Sequence, residues 1–308
     1  MANTLEYAKI FQTELDAQMV AGATSGWMEL NSDMVKYNGG NEVKIPKIVM
    51  DGMADYDRDN GFVKGSVTLS YQTQTLTQDR GRTFSIDAMD VDETNFVTTA
   101  AKLLGEFQRT KVIPEVDAYR YSKIASLAIA GGKASGGYTA ATTDILTKLL
   151  ADIYTVQDIV GENEPLVVTI NTSIAAILDL ADKVEKRLDV IDFTKGGVNV
   201  KVKSIDNIPI IKAPSARMKT AYVFNDGTTA GQEAGGFVPD VAARDINWII
   251  SARRSPIAVS KTDNPRIFDP QTNQTANAWK IDYRKYHDLW IPDNKLAGVF
   301  VNIKQALA

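Results

Sequence analysis

Ser66-Val67-Thr68-Leu69-Ser70-Tyr71-Gln72-Thr73-Gln74-Thr75-Leu76-Thr77-Gln78 is the stretch on which the reading of this chain turns. Val67, Leu69, Tyr71, Thr73 and Thr75 fall on one side of an extended chain. Ser66, Thr68, Ser70, Gln72 and Gln74 fall on the other, which is the period of a β-strand. Unbroken, the stretch would span on the order of 43 Å at ~3.3 Å per residue. Its apolar face fades into threonine, so it cannot be a core strand throughout. A long ribbon with a thin apolar face is marginal alone and leans on another chain. Assembly, ahead of catalysis, is the first functional expectation.

Working outward, Asn38-Gly39-Gly40-Asn41 signals a turn. Glu42–Met50 (EVKIPKIVM) reads as the other ribbon strand, and Pro46 requires an edge or a bulge there. Asp51–Gly65, acid-rich and with three glycines, suits an exposed tip. Beyond Asp79-Arg80-Gly81-Arg82, which closes the ribbon, Thr83–Met89 alternates around Phe84 and Ile86. Asp90 with Glu93 forms a capping box for a long helix. That helix carries Phe96, Ala100, Leu103, Leu104 and Phe107, then Val116, Tyr119, Ile124, Leu127 and Ala128, and stops at Gly131-Gly132. Asp92–Ala130 would span on the order of 58 Å at ~1.5 Å per residue. Pro114 predicts a kink or break near Lys111–Ile113. Upstream, Leu5, Ala8, Phe11, Leu15 and Met19 form the narrow stripe of an amphipathic helix ended by Gly22 and Gly26, and that stripe needs a cover from its own body or a neighbouring subunit.

Gly131–Gly137 (GGKASGG) reads as a flexible connector and domain boundary. Past it the elements alternate: a helix at Asp144–Ile159, a buried strand at Leu166–Ile170, a helix at Thr172–Leu188, and strands at Val198–Lys203, Ile208–Lys212 and Ala221–Phe224. The turn Asp206-Asn207 joins two of these strands. The C-terminal part is β-rich, with strands at Ile246–Ala252, Ile257–Lys261, Trp279–Tyr286 and Ala297–Ile303 and a polar loop at Asn264–Ala276.

Composition narrows the function. With 308 residues, 44% hydrophobic and 23% charged, the chain is an ordinary folded protein of one large or two smaller domains. A net charge of −4 leaves no basic footprint for tight nucleic-acid binding. The absence of cysteine excludes disulfides, thiolate zinc sites and a thiol nucleophile. No apolar run suits a signal peptide or a membrane span. His287, in Tyr286-His287-Asp288, is the one imidazole, and no nucleophile elbow accompanies it; a hydrolase using His287 is the reading from a different class. Asp55–Gly61 begins like a calcium loop, but its glycine falls one place late, Ser66 stands where a bidentate Glu is required, and Arg58 intrudes. Gly131–Gly137 and Gly235-Gly236 match no phosphate-binding motif. Arg253-Arg254 is too small a basic cluster for DNA recognition. Without a signal peptide the sequons at Asn171 and Asn273 are chance matches. No catalytic, cofactor-binding or metal residue is assigned.

The order of elements resembles the major capsid proteins of tailed bacteriophages, the Hong Kong 97-type fold. Particular strings resemble those of phages and prophages of Gram-positive bacteria: Gly26-Trp27-Met28, Glu42–Ile48, Asp79–Thr94, Glu106–Ile124, and PRIFDP with AWKIDYRKYHDL in Pro265–Leu289. The resemblance implies an α+β fold with an N-terminal arm at 1–40 and an extended β-hairpin loop at 41–82. It further implies a peripheral domain with a long spine helix at 83–139 and 244–308, and an α/β axial domain at 140–243. It implies a non-enzymatic subunit that self-assembles through pentamers and hexamers into an icosahedral head. Partners would be other copies, a separate scaffolding protein (favoured over processing by the short lead-in from Met1), a portal, and double-stranded DNA held by non-specific contact, with no membrane. The place would be the virion, assembled in the bacterial cytoplasm. An encapsulin-like nanocompartment shell is the alternative. Some relatives weld subunits through a loop lysine; Lys47 and Lys64 lie in that region, no partner asparagine can be matched, and no cross-link is expected.

Overall fold

The computed structural model describes residues 22–37, 42–59, 61–88, 103–181, 188–195, 198–273 and 275–307. The amphipathic stripe at Leu5–Met19 and the capping box at Asp90–Glu93 lie outside them.

The central sheet has seven strands in the order β5-β15-β12-β6-β9-β8-β7. These are β5 (Ala134–Ser135), β6 (Leu166–Asn171), β7 (Leu188–Lys195), β8 (Val198–Ile205), β9 (Ile208–Ala213), β12 (Ile246–Ala252) and β15 (Val299–Ile303). Its middle strands are buried on both faces, so they read as continuous apolar runs. Alternation then sorts them between two cores. Val167, Ile211, Ile249 and Val301 pack against Tyr121, Ile124, Ala125 and Ala128 of α1 (Ile113–Ala130). Val168, Ile170, Ile210, Trp248 and Ile250 face α2 (Ile145–Val160) and α3 (Thr172–Asp179), through Leu149, Ile153, Ala175 and Leu178.

A second sheet, β13-β14-β4, is built from β4 (Gln78–Asp87), β13 (Ile257–Phe268) and β14 (Ala278–Trp290). Ile281 and Tyr283 of β14 pack with Leu104, Val112, Ile113 and Val116. The helical path through 103–130 contains one wide π turn, Gln108–Val112, directly before α1, whose first turn holds Pro114. Proline lacks an N–H and crowds the carbonyl four residues back, and a π turn there absorbs the misfit. The irregularity is where the sequence places it.

The third sheet is the arm: β1 (Lys36–Tyr37), β2 (Glu42–Met50) and β3 (Val67–Thr75), paired antiparallel in that order. A two-stranded ribbon, β10 (Tyr222–Phe224) with β11 (Phe237–Pro239), lies apart.

Several expectations change. The second ribbon strand ends at Thr75, and β4 begins at Gln78. Asp79–Arg82 is therefore paired strand, because β14 runs opposite it and Gly81 permits a close approach to the Tyr283 carbonyl. Gly131–Gly137 is no loose connector. Lys133 N donates to Ala128 O, β5 pairs in parallel with β15, and a Cβ on Gly136 would meet Gln305 O at 2.6 Å. The helix expected to reach Leu188 ends at Asp179, and Leu188–Lys195 is a strand closed onto β8. β13 runs on through Pro265 to Phe268, which its edge position allows. Residues 293–298, which take in Ala297, form a 3-10 turn ahead of β15. The Asp206-Asn207 turn holds as expected, both residues having positive φ (51° and 63°) as a tight hairpin requires. The large sheet takes β5, β12 and β15 from outside 140–243.

Candidate functional site

The register of the arm decides what it presents. Pro46 lies opposite Tyr71, Ile48 opposite Leu69, and Met50 opposite Val67, so these six side chains share one face of the ribbon. All are solvent-exposed: Met50 by 67%, Val67 by 70%, Leu69 by 57%, Ile48 by 55% and Tyr71 by 45%. The tip adds Met53, Val63 and a tilted aromatic pair, Tyr56 and Phe62, with ring centroids 4.8 Å apart. Burying such a side chain is worth roughly 1.5–3 kcal/mol, and a contiguous exposed apolar strip of this kind marks an interaction surface. Asp51–Gly65 is an exposed tip as expected, but its apolar side chains, more than its acids, set its character.

The same ladder explains Pro46. Asp51 N donates to Ser66 O, so odd-numbered residues of β2 carry the bonds to β3. The Pro46 nitrogen therefore faces the opposite side, where β1, paired only to Val43 and Lys44, has already ended. Proline costs no ladder bond there.

The root of the arm is fixed by buried groups. Leu76 packs with Val43, Ile45, Ile257, Tyr286 and Trp290. At the elbow between β3 and β4, Thr77 N and Oγ1 both donate to Asp288 Oδ2, at 2.9 and 2.8 Å. Tyr119 Oη donates to Asp288 Oδ1 at 2.6 Å, and Tyr286 Oη to the Leu76 carbonyl at 3.0 Å. Asp288 is fully buried. Burial raises the Tyr119 pKa and the hydrogen-bonded Asp288 carboxylate raises it further, so the phenol keeps its proton and remains a donor. The ribbon thus projects from a rigid base.

A second buried network ties the incoming segment to the spine. Asp117, fully buried, accepts from the backbone N–H and hydroxyl of both Thr24 and Ser25 (2.5–3.0 Å) and from Arg217 Nη1 at 2.9 Å. Arg120 pairs with Glu29 and reaches the Ser25 carbonyl at 3.3 Å. Burial pushes the Glu29 carboxyl up, but Arg120 and Lys285, with hydrogen bonds from Arg120 and Ser260, more than offset it and the net shift is downward. Trp27 and Met28 then plug the main core.

The residues weighed for chemistry do not converge. His287 sits buried in β14, edge-on to the Tyr119 ring at 5.5 Å, and its Nδ1 has no hydrogen-bond partner among the described residues. Desolvation, then Arg120, Lys285 and Arg80, hold its pKa well below the ordinary value. A general base of the triad kind needs its Nδ1 oriented by an acceptor. Asp57 is spent on its own turn, accepting from Asp59 N at 2.8 Å. No group of three or more His, Cys, Asp or Glu able to hold a metal occurs among the described residues. Beside β4 a cleft of about 630 Å³ is lined by Arg80, Phe107, Glu115 and Gly235. Arg80 there is committed to Glu115, Asn225 O and Gly236 O. Arg253 lies over the Phe193 ring at 5.1 Å, and Lys47 is 3.4 Å from Asp293. Lys64, in the arm, is exposed. No helix among the described residues is long and apolar enough to cross a membrane.

Sequence reasoning reached the ribbon but not the two buried networks. The signal of the second was Asp117 and Arg120 inside an otherwise apolar helical face, a position charges occupy only when paired.

No family profile and no curated protein matches the chain in sequence. Solved structures do match. The capsid of cyanophage P-SCSP1u aligns with TM-score 0.57 at 10% identity, covering 87% of this chain and 84% of that one. The mature capsid of bacteriophage PhiM1 aligns with TM-score 0.55 at 11% identity, covering 86% and 82%. A virus-like particle from Pyrococcus furiosus aligns with TM-score 0.54 at 10% identity, covering 96% and 99%. The chain has the α+β fold of Hong Kong 97-type phage capsid shells.

Proposed function

We propose that this chain is the structural subunit of an icosahedral phage head, assembling through pentamers and hexamers around double-stranded DNA. The observation that carries the reading is the apolar strip on an arm clamped at its root, in a chain with the fold of phage capsid shells. An exposed strip of this size has no use in a monomer. Laid across a neighbour, it adds a repeated heterologous contact of the kind that closes rings. In this reading 1–40 is the N-terminal arm, 41–82 the extended loop, 83–139 with 244–308 the peripheral domain, and 140–243 the axial domain. A scaffolding protein and a portal are the further partners, and the virion, assembled in the host cytoplasm, is the place.

Expression with a scaffolding protein followed by electron microscopy tests this: closed shells are expected. A chain that stays monomeric at every concentration, with and without scaffold, overturns it. The near-complete mutual coverage with the Pyrococcus particle favours a protein nanocompartment shell as the second reading. Particle contents separate the two, since nuclease-protected DNA marks a head and a folded protein cargo marks a compartment. A hydrolase using His287 predicts a turnover lost in His287→Ala.

A further inference from the structure

The ribbon β10–β11 stands outside the larger sheets, and its aromatic side chains stand outside the four apolar cores. Tyr222, Phe224 and Phe237 pack on one another with ring centroids 5.3–6.3 Å apart, and Phe224 meets Tyr119 of α1 edge-on at 5.7 Å. A two-stranded hairpin is marginal by itself, so its place depends on what grips it. Two arginines of β4 do so. Arg80 Nη2 donates to the carbonyls of Asn225 (2.9 Å) and Gly236 (3.2 Å). These two residues close the mouth of the hairpin, Asn225 N donating to Gly236 O at 2.9 Å, so one guanidinium reads the closed pair. The same guanidinium lies 5.7 Å from the Phe224 ring centroid, while its Nε is paired with Glu115 of α1. Arg82 Nη2 donates to Glu233 O at 3.1 Å, and its Nη1 lies so near the loop that a Cβ on Gly227 would meet it at 3.2 Å. The cleft of about 630 Å³ separates β4 and the helix from this loop, so the arginines, more than packing, hold the loop in place.

Both grips run to the root of the arm. Arg80 follows Thr77, the elbow residue, by three positions in β4. Tyr119, on which Phe224 leans, is the donor to Asp288, and Asp288 holds Thr77. We infer that the β10–β11 hairpin is a latch that sets the direction of the arm, and that Arg80 is the positioning residue through which it acts. Docked, the hairpin fixes the first residues of β4 and the Tyr119 ring together. Released, it leaves the elbow to Asp288 and the contacts of Leu76, and the arm samples a wider range of directions. Arginine suits the task because its planar fork serves several acceptors at once, whereas a lysine is a single point of charge. The inference concerns one subunit, so it stands or falls apart from the shell reading.

The chain has no cysteine, so two introduced thiols can carry spin labels without a competing site. Thr68→Cys on the arm and Asp158→Cys on α2, both exposed, report the direction of the arm against the body as a distance distribution in unassembled full-length subunits. Two changes break the latch from opposite sides. Arg80→Lys keeps a charge beside Glu115 but cannot span both carbonyls, and Phe224→Ala removes the ring from under Arg80 and from Tyr119 without touching the arm. The labelled parent is expected to give one narrow distribution, and each change a broad one. The two changes together should broaden it no further than either alone, since both act through one contact. Amides of 222–239 should exchange about tenfold faster in Arg80→Lys, the loss of one charge-assisted hydrogen bond, while those of 166–171 in the core stay unchanged. Arg80→Lys should melt like the parent, which keeps the test valid even where Phe224→Ala does not fold. A hairpin released in Arg80→Lys with the arm distribution still narrow overturns the latch. So does a parent distribution as broad as that of the variants, or a hairpin whose amides are no faster in Arg80→Lys.

Discussion

His287 gives the folded chain a distinct pH response. It is the sole histidine and is buried, and its folded pKa lies well below the ordinary value of about 6.5. The unfolded chain then takes up a proton as pH falls through 6.5 while the folded chain does not. Stability is full above that pH and declines below it, by up to about 1.4 kcal/mol per pH unit until the folded pKa is reached. Urea titrations of the subunit at pH 7.5 and 5.5 should show this loss, and His287→Gln should remove most of it; a variant with an unchanged slope would shift the origin to a carboxylate. Asp288, next along β14, acts by geometry. Asp288→Ala strands the Thr77 N–H and leaves the Tyr119 and Thr77 hydroxyls only each other at the elbow, at a cost of about 2–4 kcal/mol for buried donors that lose their acceptor. Denaturant midpoints measure this. Asp288→Asn, which keeps one acceptor oxygen, should lose less.

At the scale of elements, the root of the arm depends on how closely β4 approaches β14. A Cβ on Gly81 would lie 2.7 Å from the Tyr283 carbonyl, which is backbone and cannot swing aside. Gly81→Ala should therefore prise the strands apart and cost about 1–3 kcal/mol, read as a lower melting temperature. The elements legible in the sequence were those whose pattern is unambiguous: Glu42–Met50 and Ile246–Ala252 appear with the bounds expected, and the π turn stands just ahead of Pro114. The misses share a cause. Leu188–Lys195 breaks the alternation of a strand at Val190-Ile191, and Asp189 and Asp192 continue the charge spacing of the helix expected before it, so one dimension cannot separate the periods. Asp79–Arg82 and Asn264–Phe268 look like loop because Gly, Pro and Asn break strands in general. They are strands here because β14 lies between them and holds both. The candidate site was half legible: the ribbon showed itself by period, whereas Asp288 clamping Thr77 joins residues far apart in sequence.

For the whole molecule, the question is whether the apolar strip belongs to the subunit or to the assembly. Ile48 and Leu69 face each other across the ribbon and are more than half exposed, so they contribute little to the folding of one chain. Replacing both with charge, Ile48→Lys with Leu69→Glu, should leave subunit stability within about ±0.5 kcal/mol, as for exposed positions generally. The pair retains cross-strand complementarity, so the ribbon itself persists. In a shell the same two positions would be desolvated at every repeat of the contact, where stripping water from both charges costs more than their mutual attraction returns and the apolar contact is lost as well. The double variant should therefore melt like wild type and yet fail to form particles, with sedimentation showing only small species. Loss of subunit stability would instead show that the strip is covered by its own body. Normal assembly would show that the neighbour does not touch this face, leaving the tip, Met53 and Phe62 above all, to carry the contact.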